Sequence, residues 1–126
     1  MENKKILIID DEPGFTSMMT SFLKSQKYEA AAANNLEEAI NLFKREKPKV
    51  VLLDGNMPIV NGDKFLPVLR SINPSAQIIL ISGFSKEDIE TRFKSGDYFA
   101  FFKKGEFLLE DLKKKYDDKN SSTMLV

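Results

Sequence analysis

Short runs of unbroken apolar residues recur along this chain at Ile6–Ile9, Val50–Leu53, Ile78–Ile81 and Phe99–Phe102, and each stops at a polar side chain: Asp10, Asp54, Ser82 and Lys103. Apolarity without alternation suits strands covered on both faces, the situation of a parallel sheet sandwiched between helices. A weaker run at Tyr28–Ala32 supplies a fifth strand. If these strands run parallel and adjacent, the polar residues that end them gather along one edge of the sheet. Open α/β folds bind their ligands at that edge.

The segments between the runs carry helical periodicity. Phe15, Met18, Met19, Phe22 and Leu23 form an i, i+3, i+4, i+7, i+8 stripe, and Leu36, Ala39, Ile40 and Phe43 repeat it. Further helices are expected over 62–72, burying Phe65, Leu66 and Leu69, over 86–94 with Ile89 and Phe93 inward, and over about 106–116. Asn35 with Glu38, and Ser85 with Asp88, have capping-box spacing, while Pro48 and Pro74 help to end the helices before them. Five strand–helix repeats predict a right-handed, doubly wound α/β sandwich with a five-stranded parallel sheet, for which we take 2-1-3-4-5, one of the two common doubly wound orders. Residues 117–126 lack a packing pattern and are expected to form a flexible tail behind a single domain over 1–116.

Composition narrows the chemistry. In 126 residues, 19 Lys and Arg balance 19 Asp and Glu, so no global field favours nucleic acid or an anionic membrane. The absence of Cys removes disulfides, thiolate metal sites and thiol nucleophiles, and the absence of His removes the commonest general base. Chemistry must then run on carboxylates, hydroxyls and amines. No apolar run reaches transmembrane length, and Met1-Glu2-Asn3-Lys4-Lys5 does not open a signal peptide, so a cytoplasmic location is expected.

In the expected topology Asp10, Asp11 and Asp54 lie side by side. Carboxylates about 4 Å apart repel by about 4 kcal/mol at an effective dielectric of 20, and a hard divalent cation relieves that repulsion. Magnesium takes oxygen ligands and typically one or two carboxylates. Here Asp11, Asp54 and the backbone carbonyl of Asn56 would hold Mg2+, with Asp10 partly through water. An aspartate beside such a cation can act as a nucleophile towards a phosphoryl group. Lys103 would offer an ammonium and Ser82 a hydroxyl to the oxygens of that group. Each residue also has a plainer reading taken alone: Asp10-Asp11-Glu12-Pro13 suits a helix N-terminus, and Asp54-Gly55 and Ser82-Gly83 suit turns.

Taken together, the acidic pair Asp10-Asp11, Asp54 followed by Met57-Pro58 and Gly62, Ser82, and Lys103 resemble, in order and spacing, the receiver domain of two-component response regulators over roughly residues 4–116. That resemblance implies a flavodoxin-like three-layer sandwich, with Asp54 as phosphoacceptor, Ser82 as the switch hydroxyl and Lys103 as the phosphate-binding lysine. It also implies a partner, a sensor histidine kinase or a histidine phosphotransfer protein, which brings the histidine this chain lacks. The signal would then pass to a downstream protein target by contact, as in single-domain regulators of the chemotaxis or sporulation type, from a monomer or a phosphorylation-linked dimer, without direct contact with nucleic acid or membrane.

The chain departs from the family pattern in two places. The position of the aromatic switch residue falls on Ala100, which has no ring to turn, so coupling is expected to run through the loop after the fourth strand or a neighbouring phenylalanine. Lys104 stands where a proline usually follows the lysine. Phe84, two residues after Ser82, is expected to limit the approach of hydrolytic water, as Asn56 flanks the other side; an unchanged dephosphorylation rate in Phe84→Ala would count against that role. Two rival functions remain. A magnesium-dependent aspartyl-phosphate phosphohydrolase would want an acid where Asn56 stands, and a phosphorylation-independent adaptor would use the fold only as a binding face. Enzymatic turnover of an external substrate is not expected.

Overall fold

Val, Ile and Leu crowd the three middle runs, and the chain uses them as sheet interior. The structure, a computed structural model, describes residues 5–54, 62–83, 85–93 and 98–103, and of 62–65 the backbone alone. The elements are β1 (Lys5–Ile9), α1 (Pro13–Ser25), β2 (Glu29–Ala33), α2 (Leu36–Glu46), β3 (Val50–Asp54), α3 (Gly62–Ile72), β4 (Gln77–Ser82), α4 (Lys86–Arg92) and β5 (Ala100–Lys103). All neighbouring strands pair in parallel, in the order β2-β1-β3-β4-β5. This is the expected doubly wound α/β sheet. The expected fifth helix at about 106–116, the tail at 117–126 and the side chain of Phe65 lie outside the described residues.

Strand alternation divides the core in two. Leu7, Ile9, Val51, Leu53, Ile78 and Leu80 face one layer, where Ala39 and Phe43 of α2, Leu66 and Leu69 of α3, and Ile89 of α4 meet them. Ile6, Ile8, Val50, Leu52, Ile79 and Ile81 face the other, against Met19 and Leu23 of α1. Each such side chain contributes about 1.5–3 kcal/mol on burial, so β1, β3 and β4 form the most strongly held part of the sheet. The residues that follow them are fixed to the same frame.

The helix boundaries follow the expected signals with small shifts. Pro13 opens α1, where its missing N–H costs nothing. Asn35 caps α2 by accepting the Glu38 N–H at 2.9 Å, while the Glu38 carboxylate reaches one residue further back, to the N–H of Asn34 at 3.0 Å. Ser85 accepts the Asp88 N–H at 3.2 Å at the start of α4. At the end of α3 the Arg70 guanidinium donates to the carbonyls of Pro74 at 3.2 Å and Ala76 at 2.6 Å, tying the helix to the start of β4.

Three points differ from expectation. β2 and β5 each begin and end one residue later than the runs that suggested them, which leaves Phe99 outside β5 and exposed, and α4 ends at Arg92 rather than at 94. On α1, Met18 belongs to the apolar stripe by spacing but is 48% exposed, and Thr16 is buried in the inward face instead. The hydroxyl makes that burial tolerable, since Thr16 Oγ1 donates to the Pro13 carbonyl at 3.1 Å.

Lys47 ends α2 in the left-handed conformation, at φ 48°. An L-residue with a side chain pays roughly 1 kcal/mol there, and glycine does not. Lys47→Gly is therefore expected to stabilise the fold by about 0.5 kcal/mol, after the greater freedom of the unfolded glycine chain is counted, as read from the midpoint of urea unfolding.

Candidate functional site

Register builds the site. Ile9 pairs with Leu53, so the next residues, Asp10 and Asp54, emerge side by side from β1 and β3. Asp54 pairs in turn with Ile81, the residue before Ser82, and Ser82 pairs with Lys103. Asp10, Asp54, Ser82 and Lys103 therefore lie along the C-terminal edge of four consecutive strands, where neighbouring strands are about 4.8 Å apart. Each is the polar residue that ended an apolar run in the sequence.

Carboxylate oxygens of Asp10, Asp11 and Asp54 all lie within 4.8 Å of one another. Asp10 and Asp54 are buried, at 1% and 4% exposure, and Asp11 is half-buried beside them. A pair of full charges at that separation repels by about 3 kcal/mol at an effective dielectric of 20, and burial weakens the screening by water. The turn that holds them is specific. Asp10 Oδ1 accepts the Glu12 N–H at 2.9 Å, an Asx-type turn that leads β1 directly into α1. The Asp10 N–H donates to the Ala33 carbonyl at 3.1 Å, carrying the β1–β2 ladder one residue beyond the strands.

The donor set fits a hard divalent cation: oxygen ligands only, high negative charge, and one half-exposed carboxylate through which an ion can enter. Ser82 is fully buried at the end of β4 and Lys103 half-buried at the end of β5. Ala100 opens β5 opposite Ile79 and packs on the α1 side of the sheet. Phe101 packs on the opposite side with Tyr98, whose ring meets Phe93, the residue after α4, edge to face, with centroids 6.2 Å apart. Asn56, Phe84 and Lys104, singled out in the sequence, lie outside the described residues.

Sequence reasoning missed Asn34 and Thr16. The Asn34 amide donates to the Asp10 carbonyl at 2.8 Å and to Thr16 Oγ1 at 3.1 Å, joining the β2–α2 junction to the acidic turn. Asn34 sits beside an evident helix cap, and a loop asparagine there reads as part of the cap. The single available hint was its chain position, level with the end of β1 once strands 1 and 2 are paired.

Among the described residues, no helix is long and apolar enough to cross a membrane. The sequence profile of the response regulator receiver domain matches residues 6–117. Sporulation initiation phosphotransferase F of Bacillus subtilis is 28% identical over 89 residues, covering 71% of this chain and 72% of that protein. The chemotaxis protein CheY of Thermotoga maritima is 33% identical over 85 residues, covering 67% of this chain and 71% of the relative. By contrast, the chain spans only 18% of the length of the regulatory protein AtoC of Escherichia coli, to which it is 36% identical. Among solved structures, a CheY-like receiver domain from Methanospirillum hungatei superposes with a TM-score of 0.85 at 21% identity, covering 96% of each chain. The response regulator TrrA of Thermotoga maritima, solved in complex with Mg2+-BeF, superposes with a TM-score of 0.79 at 30% identity, covering 91% of this chain and 97% of that one.

Proposed function

This chain belongs to the response regulator receiver domain family, and on that premise we propose that it takes a phosphoryl group from a partner phosphohistidine onto Asp54 and passes the signal on by protein contact. The observation that carries this reading is the gathering of Asp10, Asp11 and Asp54 at one sheet edge, the edge along which β4 ends in Ser82 and β5 in Lys103.

Asp10, Asp11 and Asp54, with the backbone carbonyl of Asn56, would hold Mg2+, as the Mg2+-BeF complex of TrrA encourages. Bound there, the ion would neutralise the carboxylates and the phosphoryl oxygens. The chain's own residues do the rest. Asp54 is the nucleophile: its carboxylate oxygen forms a bond to phosphorus as the phosphorus–nitrogen bond to the donor imidazole breaks, and the departing nitrogen keeps the electron pair. Lys103 presents a compact positive charge to one equatorial oxygen, and Ser82 donates its hydroxyl to another. Burial of Asp54 limits the water that would hydrolyse the product, and Phe84 would extend that protection.

The unit proposed for this activity is residues 1–116, with 117–126 as a flexible tail. The proposed partners are a sensor histidine kinase or a histidine phosphotransfer protein upstream and a protein target downstream, with the chain acting in the cytoplasm as a monomer or a phosphorylation-linked dimer. No turnover of an external substrate is assigned to it.

Acetyl phosphate with Mg2+ tests the reading without any knowledge of the partner. The expected result is one base-labile phosphate per chain, seen as a mass increase in the intact protein that needs Mg2+. Many equivalents of phosphate released with no retained label would indicate a phosphohydrolase, and no uptake at all would indicate an adaptor that uses the fold alone.

A further inference from the structure

We propose that Asn34 is a positioning residue for the acidic turn, holding Asp10 and Asp11 in the arrangement that a divalent cation needs; this rests on the metal-dependent reading given above. The end of β2 grips Asp10 by both of its backbone groups. Its N–H donates to the Ala33 carbonyl at 3.1 Å, and its carbonyl accepts from the Asn34 amide at 2.8 Å. The same amide nitrogen donates at 3.1 Å to Thr16 Oγ1, and that hydroxyl donates at 3.1 Å to the Pro13 carbonyl. One side chain thus joins the end of β1 to the first turn of α1, across the segment that carries Asp10 and Asp11.

The charges make such a clamp necessary. With carboxylate oxygens held within 4.8 Å, the turn lowers its energy before a cation binds by letting the carboxylates spread. The Asx turn through Glu12 holds the segment on its C-terminal side, and Asn34 holds it on the N-terminal side. Asp11 lies between two residues whose backbones are both fixed. A carboxamide suits the task because it supplies two N–H donors and no charge. Outer groups that orient ligand-bearing residues in this way commonly change metal affinity by about 10–100-fold when removed.

Asn34 is half-exposed, so its replacement costs little packing. Calorimetric Mg2+ titration of the full chain tests the role. Asn34→Ala and Asn34→Leu, the second close to asparagine in volume, are both expected to weaken Mg2+ binding about 10-fold. Thr16→Val removes the second anchor of the Asn34 amide yet leaves its bond to Asp10, and is expected to weaken Mg2+ binding by only about 2–3-fold, less than either Asn34 variant, although it lowers the thermal midpoint. Parental affinity in both Asn34 variants overturns the proposal. So does an equal loss in Thr16→Val, which would mean that loosening the start of α1 is sufficient. A parent chain that binds no Mg2+ removes this proposal together with the metal-dependent function, whereas a parent that binds it and Asn34 variants that match it remove this proposal alone.

Discussion

Asp54→Asn is expected to abolish phosphoryl uptake from acetyl phosphate and, in the same protein, to raise the thermal midpoint measured without Mg2+. The first effect follows from chemistry, since an amide oxygen at this position is a far poorer nucleophile and cannot yield the acyl phosphate. The second follows from geometry. Asp10, Asp11 and Asp54 are held together by the ends of β1 and β3, and removing one charge relieves its repulsion with the other two while the shape of the side chain is kept. At an effective dielectric of 20 each pair contributes about 3 kcal/mol; screening by solvent at the half-exposed Asp11 and the lost attraction to the Lys103 ammonium reduce the net gain to about 1–3 kcal/mol. A gain of that size raises the midpoint by several degrees, on the order of 4 °C per kcal/mol for a domain of this size. Mg2+ should reverse the ranking. The parent gains about 2.7 kcal/mol at a concentration a hundred times its dissociation constant, and the variant, with a weakened site, gains less. Intact-mass measurement and thermal unfolding by circular dichroism read both effects. A phosphate retained by Asp54→Asn would move the acceptor to another carboxylate, and a lowered midpoint without Mg2+ would mean that Asp54 is held by attraction stronger than the repulsion around it.

Much of this arrangement was legible in the sequence because apolar runs and chemical residues are contiguous. β1, β3 and β4 are buried on both faces, so their residues are uniformly apolar, and the first polar side chain marks both the strand end and the site. β2 was harder to read. Its alanines, Ala30 to Ala33, carry little of the bulk or branching that marks a strand, and it took its place one residue later, with Ala33 rather than Tyr28 in the ladder. The α1 stripe misled at Met18 because Thr16 satisfies its hydroxyl locally and can be buried, which no count of apolar residues reveals. Asn34 was illegible for a different reason. Its bond to Asp10 spans 24 residues and exists only once β1 and β2 are paired, so the sequence shows a loop asparagine beside a cap and nothing that points to the acidic turn.

Lys103→Met should slow phosphoryl uptake by about 10²–10³-fold while tightening Mg2+ binding. Lys103 ends β5 in register with Ser82, two strands from Asp54, so about 10 Å of sheet separates the two backbones. Lysine bridges such a gap with a four-carbon stem that packs along the apolar strand end and delivers a point charge at its tip. Methionine keeps much of that stem and its packing but carries no charge, so the loss falls on the transferring phosphoryl group, whose equatorial oxygens no longer meet an ammonium. The cation site responds in the opposite sense. An ammonium beside the carboxylates competes with Mg2+ for them, and its removal strengthens their hold on the ion. Opposite movements of rate and affinity distinguish Lys103 from Asn34, whose loss weakens Mg2+ binding. Lys103→Arg is not expected to restore the rate, because a planar guanidinium is broader than an ammonium and spreads its charge over a fork. Initial rates of acetyl phosphate labelling at saturating Mg2+, set beside calorimetric affinities, measure both. Labelling by Lys103→Met within about three-fold of the parent, against the hundred-fold or greater loss that a removed charge-stabilising group entails, would exclude Lys103 from the reacting centre.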